Sequence, residues 1–223
     1  MERNAILCLT VAVLAGGARA NDDTVGDLIQ ALRDPDAKVR QFAEKALIQA
    51  DRKAVPALVK ILECNDAALQ ARAAFILGRM GEVGRRHPES VVPLTALLES
   101  KKGEVRRQAS WALSWITVAL KEPPKELIPN LIRCLEDADE RVCDYSRASL
   151  VNLDRAAVPA LIELVKGKDG PKRFHAARAL GTMGAMGRRF TEAKAALGEA
   201  LKSDDVSIRR AAAYALSMIV VDP

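Results

Sequence analysis

Two histidines, His87 and His175, and four cysteines, Cys8, Cys64, Cys134 and Cys143, are the whole supply of imidazole and thiol in this 223-residue chain. A structural zinc site needs such ligands clustered, and no CxxC pair occurs. Hydrolysis through an activated Ser or Cys needs a base beside the nucleophile, and either histidine would have to serve. The glycine-rich strings GRMGEVG (78–84) and GTMGAMG (181–187) follow helical rather than strand patterns. They fit helix ends better than phosphate-binding turns. Cys134 lies near the end of one apolar segment and Cys143 near the start of the next, so a disulfide and free thiols both fit the spacing. No catalytic set, no metal site and no cofactor motif emerges.

The elements that must carry these residues are helices. Hydrophobic residues make up 49% of the chain and charged residues 28%, enough to fill a core, whereas aromatics are only 4%. Ala and Leu dominate the apolar fraction, which favours helices over strands. The net charge of +5 is mild. It disfavours nucleic acid as the partner, because wrapping a phosphate backbone calls for a much denser basic surface.

Self-similarity organises the chain. AVPALVKILE (54–63) returns as AVPALIELVK (157–166), and GRMGEVGRR (78–86) as GTMGAMGRR (181–189), each 103 residues on. Over the aligned halves, 24–120 and 127–223, more than a third of the positions are identical. Each half holds a finer repeat. Leu47, Leu77, Leu113, Leu150, Leu180 and Leu216 stand four residues after Ala43, Ala73, Ala109, Ser146, Ala176 and Ala212. These follow in turn Val39, Leu69, Val105, Val142, Lys172 and Ile208. Positions i, i+4 and i+8 share one helical face, so each unit contains a long amphipathic helix. A shorter apolar segment precedes each one, with Pro56, Pro93, Pro129 and Pro159 in its first turn. Asp34, Ser100, Asp137 and Ser203, five residues before the first core position, are expected N-caps of the long helices. Six helical hairpins stacked on one another would bury what one alone cannot.

The first-turn proline, an Asp eight residues on and a Val-Arg pair such as Val39-Arg40 give these units their family likeness. They resemble HEAT repeats, specifically the short class typified by phycobilisome-lyase-like proteins. The resemblance implies an all-α, right-handed α-solenoid of six hairpins, continuous over 21–223. It also implies that Arg40, Arg106, Arg173 and Arg209 form a ladder with turn acids of neighbouring repeats. Enzymes occur among HEAT-like proteins, so a diverged bilin-lyase-like protein or a metal-dependent oxidoreductase is the alternative reading. The iron-binding hydroxylase of this class uses repeated His-Glu pairs, and no His-Glu dipeptide occurs here. Ordinary surface or partly buried histidines are the expectation. The leading reading is a non-enzymatic scaffold that binds a protein or another acidic polymer.

Rotating the long helices by 100° per residue places a second stripe opposite the core. It carries Phe75, Arg79, Arg107, Trp111, Trp115, Phe174, Arg178, Arg210 and Tyr214, including five of the chain's eight aromatics. HEAT-like stacking would turn this stripe towards a concave groove. Trp, Tyr and Arg dominate interface energies, so these residues are the expected partner-binding set, centred on Arg107, Trp111 and Trp115.

The first twenty residues read as an address. Arg3 precedes an apolar run from Ala5 to Ala15 that includes Cys8, and Ala18-Arg19-Ala20 follows. A run of about eleven residues fits a signal peptide and falls short of the ~20 that a membrane helix needs. Export to the periplasm or beyond, with cleavage after Ala20, is expected. Mass spectrometry of exported material should show Asn21 as the first residue, and a cytosolic chain that retains Met1 as the main species would refute this.

Overall fold

The computed structural model describes residues 22–220 apart from Asp169 and Arg189; the expected leader, 1–20, lies outside the described residues. Among the described residues, short and long helices alternate and no strand occurs. Contacts divide the chain into two compact units, one through Ile116 and one from Thr117. The first contains α1 (Asp22–Ala31), α2 (Ala37–Ala50), α3 (Val55–Leu62), α4 (Ala67–Glu82), α5 (Val91–Leu97) and α6 (Gly103–Ile116). The second contains α7 (Leu127–Arg133), α8 (Glu140–Asn152), α9 (Val158–Lys166), α10 (Pro171–Ala185), α11 (Lys194–Ala200) and α12 (Val206–Val220). Each short helix packs on the long helix that follows it. No helix of the described residues is long and apolar enough to cross a membrane.

The i, i+4, i+8 stripe forms the core of each unit. Leu69, Ala73 and Leu77 of α4 are buried, as are Val105, Ala109 and Leu113 of α6 and Val142, Ser146 and Leu150 of α8. Lys172 takes the apolar register in α10, and it is tolerated because its ammonium leaves the core edge to meet Glu136 at 2.6 Å. Small residues at the middle position of the stripe let neighbouring helices approach.

The caps lie two residues later than the sequence spacing predicts. Asp36, Asp66 and Asp139 are the N-caps, and their carboxylates accept from Lys38 N, from Ala68 N and Leu69 N, and from Arg141 N. Asp34, Asp137, Ser100 and Ser203 instead brace the preceding turn, accepting from the amides of Asp36, Asp139, Lys102 and Asp205. The reason is local: a side chain bonded to its own backbone two residues on makes a turn that delivers the chain to the helix start.

Two rungs of the expected arginine ladder, Arg40 and Arg209, bond carbonyls of their own repeat instead of turn acids of a neighbour. Arg40 Nη1 donates to the carbonyls of Asp34 and Pro35 at 2.7 and 2.8 Å, and Arg209 Nη1 to those of Ser203 and Asp204 at 2.7 and 2.8 Å. Arg106 reaches Ser100 O, and Arg173 reaches Val165 O. Each therefore satisfies carbonyls at the end of its own short helix or in the turn after it, groups that would otherwise lack donors.

Long helices α4 and α10 end alike. Gly84 and Gly187 adopt φ of 83° and 77°. Arg85 N then bonds Met80 O, Gly84 N bonds Gly81 O, and the same pair recurs at Arg188 and Gly187. This six-to-one and five-to-two pattern needs a left-handed residue, which glycine adopts without a Cβ penalty. The guanidinium of Arg85 continues to Ile48 O, and that of Arg188 to Val151 O. They cap the long helices one repeat earlier.

Within the units, α4 and α6 share the most extensive contact, followed by α10 and α12. Glycines make this possible. A Cβ at Gly81 would stand 2.9 Å from Trp115 Cβ, and one at Gly184 2.9 Å from Met218 Cβ. At Gly26 and Gly198, by contrast, nothing lies within 4 Å. Gly184→Ala should therefore destabilise the chain by about 1–2 kcal/mol, an overpacking cost of roughly 1–3 partly offset by about 1 of helix propensity. Gly26→Ala should stabilise it by about 0.5–1 kcal/mol. Urea denaturation of both variants checks the sign at each site.

Candidate functional site

The expected partner-binding residues lie on the solvent side of the long helices, in two sets. In the first unit, α4 supplies Phe75 and Arg79, and α6 supplies Arg107, Trp111 and Trp115. Phe75 and Trp111 stack with centroids 5.6 Å apart and planes 20° from parallel. The Trp111 ring also lies directly over Gly78, where a Cβ would approach Cζ3 to 2.5 Å. Trp115 sits over Gly81 in the same way, and its indole nitrogen is buried without a hydrogen-bond partner. Both indoles are half-buried wedges between α4 and α6. Their bulk supports the helix pairing as well as facing water.

Charge in this unit is largely compensated. Arg107 pairs with Glu104, and Arg79 with Glu82. Two further residues, which the helical stripe does not include, complete the arrangement: Arg72 meets Glu44 at 2.7 Å. A cavity of about 330 Å³ opens between α2, α4 and α6, lined by Glu44, Arg72, Phe75, Glu104 and Gln108 with two alanines. Gln108 Nε2 donates to Glu104 at 2.8 Å. The expected centre at Arg107, Trp111 and Trp115 is therefore ion-paired and packed.

The second unit brings together Phe174 and Arg178 of α10 with Arg210 and Tyr214 of α12. With Ser207 and Ala211 they line a cavity of about 370 Å³. Arg178 lies over the Phe174 ring, its guanidinium carbon 5.4 Å from the centroid, a distance at which the ring quadrupole attracts the cation. Tyr214 is 45% exposed, yet its ring edge rests on Gly181, where a Cβ would come within 2.7 Å. Among the described residues, no carboxylate lines this cavity.

Both histidines lie at the buried end of the surface-or-partly-buried expectation. His87 Nε2 lies 2.9 Å from Asp51 Oδ1, and Glu89 approaches its other nitrogen at 3.6 Å. The Asp51 contact holds a residue with φ of 52°, a strained value for a side chain with a Cβ. His175 makes an edge contact with Phe174, centroids 5.1 Å apart, and its Nδ1 has no partner among the described residues. Cys64, Cys134 and Cys143 form no disulfide among the described residues. Burial pushes the Cys143 thiol up, which keeps it protonated and a weak nucleophile. Among the described residues, no group of three His, Cys, Asp or Glu side chains is arranged to hold a metal ion.

Glu44, Arg72, Gln108 and Ser207 escaped the sequence reading because a stripe drawn on one helix ignores partners on the next. The duplication itself carries the missing signal: Glu44, Arg72, Phe75 and Glu104 become Arg147, His175, Arg178 and Ser207.

A family model described as HEAT repeats matches residues 55–151 and 128–217. No curated protein matches the chain. Among solved structures, an engineered protein is similar at 23% identity, with a TM-score of 0.53 over 90% of this chain and 97% of that one. A second engineered protein is similar at 22% identity, with a TM-score of 0.53 over 90% and 99%. A designed armadillo repeat protein in complex with the peptide (KR)4 is similar at 19% identity, with a TM-score of 0.52 over 87% and 99%.

Burial holds the His175 imidazole below its ordinary value near 6.5, and the Arg147 and Arg178 guanidiniums act in the same direction against a smaller pull from Arg147's partner Asp144. Above pH 6.5 the ring is neutral in folded and unfolded chains alike. As the pH falls below this value, the unfolded chain takes up the proton first, so stability is lost. The melting temperature should decline between pH 7.5 and 5.5, and less steeply in His175→Gln. An identical slope in the variant would show that other groups cause the decline.

Proposed function

The chain belongs to the HEAT-repeat family, and on that premise we propose that it is an exported, non-enzymatic scaffold that holds an acidic protein segment against the exposed faces of its long helices. HEAT and armadillo repeats are commonly used for protein binding, and the fold resembles one on which a designed protein was solved with a peptide. The observation that carries the acidic partner is the placement of half-exposed rings beside guanidinium groups. Phe174 and Tyr214 stand with Arg178 and Arg210 in the second unit; in the first, Phe75, Trp111 and Trp115 stand with Arg79 and Arg107, whose charges Glu82 and Glu104 already meet. Apolar rings left in contact with water are costly unless something covers them. Rings and guanidiniums together favour a partner that offers both carboxylates and apolar surface.

Calorimetric titration with two capped octapeptides, one of glutamate and one of lysine, tests this reading. The glutamate peptide should bind and weaken as salt is raised from 50 to 300 mM, roughly the range over which the Debye length falls below ~10 Å. The lysine peptide should bind at least tenfold more weakly. Equal affinity for both, or none for the glutamate peptide, would reject an acidic partner.

A further inference from the structure

The duplication supplies an internal comparison. Positions 103 residues apart fall on matching helices of the two units, so their cavities can be compared side chain by side chain. Where the first has Phe75, Glu104 and Glu44, the second half has Arg178, Ser207 and Arg147. Each exchange removes an acid, adds a base, or does both. The features that seat the rings are kept: Gly78 beneath Trp111 becomes Gly181 beneath Tyr214.

The electrostatic outcome is opposite in the two units. Glu104 and Glu44 of the first cavity are bound by Arg107 and Arg72, and an entering carboxylate would meet like charge. In the second, the Arg178 and Arg210 guanidiniums form no ion pair among the described residues. Arg147 is taken up by Asp144 at 3.1 Å. Arg178 is held by the face of Phe174 instead, which leaves its N–H donors available. Two cations with no counter-ion around one cavity repel each other, and a carboxylate between them relieves that repulsion through charge-assisted hydrogen bonds.

We propose that the cavity between α10 and α12 is a carboxylate-recognition site. It would take one acidic side chain of a protein segment at Arg178 and Arg210 and a neighbouring apolar residue on Phe174 and Tyr214, while the matching cavity of the first unit takes no part. This rests on the reading of an acidic partner and assigns that partner to one half of the duplication. At about 370 Å³ the cavity is within the size range of small-ligand sites.

The test uses the full chain and the capped glutamate octapeptide. One variant, Arg178→Phe with Ser207→Glu, gives the second cavity the first cavity's side chains at two matching positions. A second, Arg210→Glu, changes only an exposed position of α12, and thermal melting confirms that each variant folds. The wild type should bind one peptide per chain. Both variants should weaken binding at least tenfold, whereas Gln108→Glu in the first cavity should change it less than twofold. If the wild type binds and Arg210→Glu retains its affinity, the site assignment is overturned while the acidic partner stands. If Gln108→Glu weakens binding as much as Arg210→Glu does, the assignment to one unit is overturned. If the wild type binds no glutamate peptide, both conclusions fall together.

Discussion

Close approach of consecutive long helices over glycine is the constraint on which the rest of each unit depends. At Gly78 and Gly81 in one half, and Gly181 and Gly184 in the other, the missing Cβ is the space into which Trp111, Trp115, Tyr214 and Met218 fit. With a methyl group there, the pairs α4–α6 and α10–α12 would have to separate, and the short helices that pack on them would lose their register. Glycine inside a helix weakens it by roughly 1 kcal/mol relative to alanine. The packing gained across the helix pair offsets that cost, which is why four such glycines persist in helices otherwise rich in alanine and leucine.

Much of this was legible in the sequence, because it arises from periodicities that one chain displays by itself. The leucine and alanine spacing identified the core faces; of the glycine strings expected at helix ends, Gly84 and Gly187 lie there, whereas Gly78, Gly81, Gly181 and Gly184 lie inside α4 and α10. Failures came where a group had a choice of partners. Asp34 and Asp137 could cap the helix or brace the turn before it, and turn geometry decided for the turn. Arg40 could pair with an acid of another repeat or with carbonyls of its own, and the nearer carbonyls prevailed. His87 and His175 carry no positional signal of burial, since Asp51 meets the first from another repeat and Arg147 approaches the second from α8.

The site shows the same division. Helical rotation put Phe75, Trp111, Phe174 and Tyr214 on one stripe, but not Glu44, which lies outside it and meets Arg72 on the next long helix. That pairing, with Glu104 against Arg107, decides the charge of the first cavity. A one-helix projection places Glu104 and Asp144 on the stripe with the arginines, but it does not show that Glu44 meets Arg72 from another helix. Comparing the halves position by position recovers the information, because a duplicated chain records which side chains its shared frame can exchange.

Those exchanges separate frame from lining. The residues kept across the 103-residue offset include Gly78 and Gly181, Met80 and Met183, Gly84 and Gly187, and Arg85 and Arg188. Gly78 and Gly181 admit a ring from the next long helix, Gly84 and Gly187 hold the left-handed helix end, and Arg85 and Arg188 reach carbonyls of an earlier long helix. The residues that differ, Phe75 and Arg178 or Glu104 and Ser207, face a cavity, where a change of charge leaves the helix pairing intact. A frame fixed by glycine contacts and arginine caps can thus alter its lining at little structural cost, and one half can acquire an anion preference that the other lacks. The guanidiniums of Arg178 and Arg210 form no ion pair among the described residues and face the cavity. Such side chains are where function is expected when the surrounding frame is internally consistent.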